Sequence, residues 1–336
     1  MNDAMRMNAA SSAESQALAI SVRGIVKHFG AVRAVDGIDL DVPRGVIFAI
    51  LGPNGAGKTT LMRMLATLAA PDAGSASVMG HDLVSAPQKV RASIAMTGQF
   101  ASLDEDLTGR ENLLMLARLW GYRGRDAKAR ADELLAAFDL ADAAHKQVKA
   151  YSGGMRRRLD IAASLVVTPG VLFLDEPTTG LDPNARQSVW RMIRALAGSG
   201  VTILLTTQYL DEADQLAARI AVIDKGRKIA EGTSRELKAA TGSGFLHVAL
   251  ADPTRVEDAT RLLEAQLGGK VQHNPEGTQL SVMAGTPEAA SQAIASLIAN
   301  RIELADFSMG SPSLEEVFFA LTGSGGRLAK PEGNDR

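Results

Sequence analysis

Apolar and polar residues begin to follow a pattern at Leu18, where ALAISVRGI and then AVRAVDGIDLDV alternate between the two classes, with glycines as punctuation. A period of two broken by glycine predicts antiparallel strands with tight connections from Leu18 to Val42. VIFAIL then runs on without a polar residue, and VLFLD at 171–175 and TILLTT at 202–207 are similarly continuous. Runs this short and this apolar predict strands buried on both faces. Helical stretches separate them, so the fold class expected is α/β with a mostly parallel sheet.

Residues 104–150 break that rhythm. ENLLMLARLW and ARADELLAAFDL carry apolar residues at helical spacing with no strand between them, which predicts a helical subdomain inserted between sheet strands. RIAVIDKGRKIAEG then predicts a hairpin about an Asp-Lys-Gly-Arg turn. Beyond TGSG at 241–244 the pattern reads strand, helix, strand, strand, helix, strand, the order of a ferredoxin-like α+β module. Its strands FLHVAL and IELADF alternate as a sheet with one covered and one available face would. A last helix, SPSLEEVFFAL, has Ser311 or Ser313 as cap and Glu316 as the partner in a capping box. Its apolar stripe, Leu314, Val317, Phe318 and Leu321, needs a surface, either within the chain or on a second subunit. The expected division is a disordered leader at 1–17, a first domain at 18–240 with its helical subdomain at about 100–165, an accessory α+β domain at 241–323 and a disordered tail at 324–336.

Composition narrows the function classes. The 336 residues are 46% hydrophobic, enough for a large core. Lys and Arg total 36 against 38 Asp and Glu, so nothing in the global charge favours nucleic acid. There is no cysteine, hence no disulfide framework and no thiolate metal site. No stretch approaches the ~18 apolar residues of a membrane span, so a role in a membrane requires a partner.

One loop carries chemistry. GPNGAGKTT, formed by Gly52, Pro53, Asn54, Gly55, Ala56, Gly57, Lys58, Thr59 and Thr60, fits G-x-x-x-x-G-K-[ST] and lies between the apolar strand and the helix TLMRMLATL. Glycines let backbone N–H groups approach phosphate oxygens, and the helix N-terminus adds positive potential. Lys58 would reach the β- and γ-phosphates of ATP, and the Thr59 hydroxyl would bind Mg²⁺. A plain glycine turn needs neither residue. VLFLDEP ends a buried strand in Asp175, beside the expected Mg²⁺, and follows it with Glu176, placed to orient or deprotonate a water. Taken alone, that acidic pair before Pro177 also fits a helix cap.

The ordered set GPNGAGKTT, Gln99, YSGG, VLFLDE and TTGLD resembles the ATP-binding subunit of ABC transporters over residues 18 to 240. The resemblance implies a P-loop ATPase core with an antiparallel β subdomain. It also implies that Ser152, Gly153 and Gly154 head a helix facing the ATP of a second subunit, in a homodimer served by a polytopic membrane permease. Phe29 matches the position that stacks on adenine, Gln99 the one that ligates Mg²⁺ and senses the membrane partner, and Asp182 the loop that signals between sites. Arg156, Arg157 and Arg158 follow the binding turn and are expected on a solvated or inter-subunit face, with no nucleic-acid role.

Three positions depart from the family pattern: Tyr151 for Leu, Met155 for Gln, and Gln208 for the histidine that contacts the γ-phosphate. A glutamine amide donates a hydrogen bond but carries no proton. With SGGMRRRLD, TTQYLDEAD and PSLEEVFFALTG, the chain resembles the daunorubicin-resistance type of exporter ATPase. That implies a peripheral subunit on the cytoplasmic face of the membrane, powering efflux of an amphipathic drug. The alternative is a soluble ABC-type regulatory ATPase not coupled to transport.

Overall fold

A computed structural model of the chain describes residues 18–97, 103–240, 244–273, 278–310 and 312–322. These fall into two compact units that divide between Glu231 and Gly232. The division precedes the composition shift at 241–244, because the short helix Ser234–Ala240 belongs to the second unit.

The alternating opening folds as a hairpin, β1 (Leu18–Phe29) and β2 (Val32–Pro43), paired antiparallel. With β4 (Ala73–Val78) and β5 (His81–Asp82) it makes a four-stranded sheet, ordered β2-β1-β4-β5. The continuous apolar runs form the second sheet. Here β3 (Ile47–Leu51), β7 (Val171–Asp175) and β8 (Thr202–Thr207) are buried along their whole length. That sheet also takes β6 (Ile94–Thr97), β9 (Arg219–Asp224) and β10 (Arg227–Gly232), in the order β10-β9-β3-β8-β7-β6. At β6, only Thr97 is fully buried, since the strand closes one edge of the sheet, and its apolar run, Ile94 to Met96, is short. The Lys225–Gly226 turn has φ of 47° and 80°, the left-handed pair that a tight hairpin demands.

Helices α1 (Lys58–Leu65), α2 (Pro87–Ser93), α6 (Pro183–Gly198) and α7 (Leu210–Leu216) accompany this sheet. The helical subdomain supplies α3 (Gly109–Leu119), α4 (Gly124–Ala137) and α5 (Gly153–Ser164). Thr108 caps α3 in a reciprocal capping box with Glu111. Strand order matters most for function: β8 lies between β3 and β7, so the C-terminal ends of all three meet at one edge of the parallel sheet.

In the second unit, α8 (Ser234–Ala240) precedes β11 (Phe245–Leu250), α9 (Val256–Leu267), β12 (Gln272–His273), β13 (Gln279–Met283), α10 (Pro287–Ala299), β14 (Leu304–Gly310) and α11 (Leu314–Thr322). The strands pair antiparallel in the order β12-β13-β11-β14, the ferredoxin-like arrangement. Leu246, Val248, Leu280 and Val282 pack with Ala259, Leu263 and Leu297 of the two long helices as a separate core. The opposite face, left available by the alternation, is covered in part. Its His247 and Ser281, paired across β11 and β13, both contact Glu316 of α11. Ser313 and Glu316 make the capping box. Leu314, Val317 and Phe318 are buried, so these three positions of the stripe expected to need a surface are covered within the chain, while the Leu321 side chain lies outside the description.

Candidate active site

The loop after β3 is shaped by backbone contact as much as by its side chains. Gly57 has φ of 103°, and a Cβ there would lie 2.2 Å from the Ala34 carbonyl oxygen; only glycine fits. Lys58 begins α1, buried to 4% exposure, with Nζ donating to the carbonyls of Gly52 at 2.8 Å and Pro53 at 3.0 Å. Its ammonium lies 3.6 Å from Glu176 Oε1. Burial holds the Lys58 pKa below its ordinary value, against the opposing pull of Glu176.

Asp175 ends β7 with its carboxylate buried. Thr59 Oγ1 donates to its Oδ1 at 3.1 Å, joining the loop to this strand. Thr206 of β8 donates to the same oxygen at 2.5 Å. The next residue, Glu176, takes φ of 47° and donates its N–H to the Thr206 carbonyl at 3.1 Å. Thr179 Oγ1 donates to Glu176 Oε2 at 3.1 Å. A cavity of about 220 Å³ opens here, lined by Ala34, the loop from Asn54 to Thr60, and Glu176. Residues of three strand ends thus converge on one cation, two carboxylates and a row of backbone N–H groups.

The family model described as ABC transporter matches residues 35–179. The daunorubicin/doxorubicin resistance ATP-binding protein DrrA of Streptomyces peucetius is 56% identical over 305 residues, 91% of this chain and 92% of that protein. The chain belongs to the ABC transporter ATP-binding proteins. The Nod factor export ATP-binding protein I of Ralstonia nicotianae is 45% identical over 218 residues, 65% of this chain and 68% of its own. A solved ATP-binding subunit of an ABC transporter superposes with a TM-score of 0.59 at 27% identity, covering 66% of this chain and 92% of that one. This ABC protein is therefore a nucleotide-binding ATPase.

Other positions that the family pattern singles out lie away from the cavity lining. Phe29, at the end of β1, is 56% exposed, with the Lys27 ammonium 5.7 Å from its ring centroid. Gln208 is buried just beyond β8, on the strand whose Thr207 carbonyl accepts from Gly52 N–H at 3.2 Å. Ser152 caps α5, its Oγ accepting from Met155 N–H at 3.3 Å, while Ser152 and Gly153 stay exposed. Asp182 caps α6, accepting from Ala185 N–H at 2.9 Å. Gln99 lies outside the described residues.

The arginines depart from expectation. Each of the three is tied to its own chain: Arg156 to Glu105 at 2.7 Å, and Arg158 to the Phe138 carbonyl at 3.1 Å and the Asp139 carboxylate at 3.0 Å. Arg157 donates to the carbonyls of Pro177 at 2.9 Å and Asp175 at 3.3 Å. Burial pushes the Arg157 guanidinium below its usual pKa, offset by Asp160, Glu212 and Asp175. Arg157 fastens α5 to the end of β7, where carbonyls need donors, whereas Arg156 keeps its ion pair with Glu105 at the surface. Tyr151, in the place of the family's Leu, donates from its hydroxyl to the Ala143 carbonyl at 2.8 Å. Composition carried no signal for Thr206 or Arg157, whose partners are distant in sequence, nor for Thr179, whose partner Glu176 is three residues away.

Proposed function

We propose that this ABC protein is the ATP-hydrolysing subunit of an exporter that moves an amphipathic drug or antibiotic through a separate membrane permease. The observation that carries the reading is the convergence of Lys58, Thr59, Asp175 and Glu176 at one sheet edge, in a chain similar over nine-tenths of its length to a drug-resistance ATP-binding protein. Among the described residues no helix is long and apolar enough to cross a membrane. ATP as substrate puts the subunit on the ATP-containing side of the membrane, as a peripheral partner of the permease.

In this reading the loop N–H groups of 52–60 wrap the phosphates and Lys58 leaves its carbonyl partners to reach the γ-phosphate. Glu176, held by Thr179, orients the attacking water and takes up its proton. Gln208 donates its amide to the γ-phosphate, and Phe29 stacks on the adenine. Ser152, Gly153 and Gly154 of a second copy close the site through the N-terminus of α5, with Asp182 beside the shared interface. A hard cation fits the hydroxyl and carboxylate oxygens of Thr59 and Asp175, with Gln99 as a further oxygen ligand. No cluster of three or more His, Cys, Asp or Glu side chains forms a metal cage among the described residues, so Mg²⁺ would lean on substrate phosphates. When bound, it would neutralise charge developing on the phosphates.

The test pairs the chain with a polytopic membrane protein encoded beside it and follows a fluorescent anthracycline in cells. Accumulation should fall with the intact pair and stay high with Lys58→Ala, which is expected to abolish hydrolysis. Equal accumulation with and without Lys58, alongside normal ATPase activity, would point to the regulatory alternative.

A further inference from the structure

Glu212 lies four residues beyond Gln208, in the first turn of α7, and is completely buried. Its Oε1 accepts from Thr178 Oγ1 at 2.7 Å and from Trp190 Nε1 at 3.0 Å. Thr178 stands between Glu176 and Asp182, and Trp190 belongs to α6, the helix that Asp182 caps. One carboxyl oxygen therefore ties together the water-orienting segment, the Asp182 helix and the Gln208 segment. We propose that Glu212 is a positioning residue for ATP hydrolysis, fixing the Gln208 segment against the Glu176–Asp182 segment through this buried hub.

Two neighbouring contacts follow the same line. Arg186 of α6 stacks over the Tyr209 ring at 5.2 Å and reaches the Asp211 carboxylate at 3.4 Å. Arg157 grips the Asp175 and Pro177 carbonyls, so the chain between Asp175 and Thr178 is held by α5 and α7 at once. An acid is a costly residue for mere filling here. Among the described residues its Oε2 makes no hydrogen bond of ordinary geometry, although Thr207 acts on the same carboxyl, and an apolar side chain of similar volume packs such a space at lower cost. Burial pushes the Glu212 pKa above the ordinary carboxylate range, countered first by Thr207 and then by Thr178 and Trp190. What the site uses is an acceptor at Oε1, not a charge.

That distinction makes the proposal testable, and it rests on the ATPase site assigned above. Steady-state hydrolysis is measured on the full chain for wild type, Glu212→Leu, Glu212→Gln and Thr178→Val, with Lys58→Ala as the control for the site itself. Glu212→Leu should lower kcat about tenfold while changing KM for ATP less than about threefold, because the phosphate loop is untouched. Glu212→Gln keeps the acceptor and should restore kcat to within about twofold of wild type. Thr178→Val should lower kcat in the same direction without adding to Glu212→Leu, since both cut one hub. Wild-type kcat in Glu212→Leu, a Gln variant as slow as Leu, or full additivity with Thr178→Val each overturns the proposal. Should Glu212→Leu fail to fold, Thr178→Val with unchanged kcat overturns it alone. Undiminished hydrolysis by Lys58→Ala would instead sink the site assignment, and is read separately.

Discussion

At the scale of single residues, the site is a set of charges whose burial decides their behaviour. Lys58 is desolvated and drawn onto backbone carbonyls, a posture that a γ-phosphate can relieve by offering a stronger partner. Gln208 is buried directly after Thr207, whose carbonyl accepts from Gly52 N–H, so a bulkier ring there has little room. Gln208→His is expected to lower steady-state turnover; a clear gain would show that the imidazole alone was missing. Glu212 yields a prediction in pH. Below the ordinary carboxylate range the folded and unfolded chains both hold its proton. As pH rises, the unfolded chain releases that proton while the folded chain keeps it, so stability declines across the window up to the raised pKa. Glu212→Gln removes this slope. Melting temperatures should nearly coincide at about pH 4 and separate in favour of the Gln variant towards pH 8. A gap of constant size would refute the assignment of a raised pKa.

At the scale of elements, the helices beside the site are fastened by backbone acceptors and by close approach. Gly154 lets α5 lie directly on the start of α6: a Cβ there would sit 2.8 Å from the Ala185 Cβ. Both helices carry positions assigned to the interface with a second copy, Ser152 to Gly154 on one and Asp182 on the other. Gly154→Ala should therefore force them apart, lowering thermal stability by about 1–3 kcal/mol and reducing hydrolysis, with ATP binding at the phosphate loop retained. Unchanged melting and turnover would mean that the contact relaxes freely. The arginine run belongs to the same scale. Its pattern in sequence is that of an exposed charged face, yet each guanidinium finds acceptors from a different part of the chain. Helical periodicity identifies which residues face a core; it does not say which carbonyls a long side chain will reach.

At the scale of the whole molecule, two units have separate cores, one around Phe48 and Phe173 and the other around Leu246 and Val248. Every described residue assigned to the nucleotide site lies before Glu231. A chain ending at Glu231 is therefore expected to fold and bind ATP with affinity close to that of the full chain, measured by fluorescent-nucleotide titration. Loss of binding would show that the second unit completes the site. Glu176→Gln should bind ATP, cleave it slowly and accumulate as a dimer with Mg-ATP, visible by light scattering. A persistent monomer would count against closure by a second copy. Since Val317 and Phe318 are already buried, any dimer contact of the second unit must use another surface than this apolar stripe.

The sequence by itself determined the parallel sheet, the phosphate loop between strand and helix, the acidic strand end and the order of the second unit. Each of these rests on local periodicity or on a motif whose residues are neighbours in the chain, so the physics that shapes them is written in consecutive positions. Only the tertiary structure decided what surrounds them. Strand order put β8 between β3 and β7, and so brought Thr206 onto Asp175 and the start of the Gln208 segment against Gly52. It turned Arg157 inward, closed α11 over the sheet face that alternation left open, and buried Glu212 between Thr178 and Trp190. Those partners lie 20 to 35 residues apart or more, where no period links them, and their pairing follows from which elements the folded core places side by side.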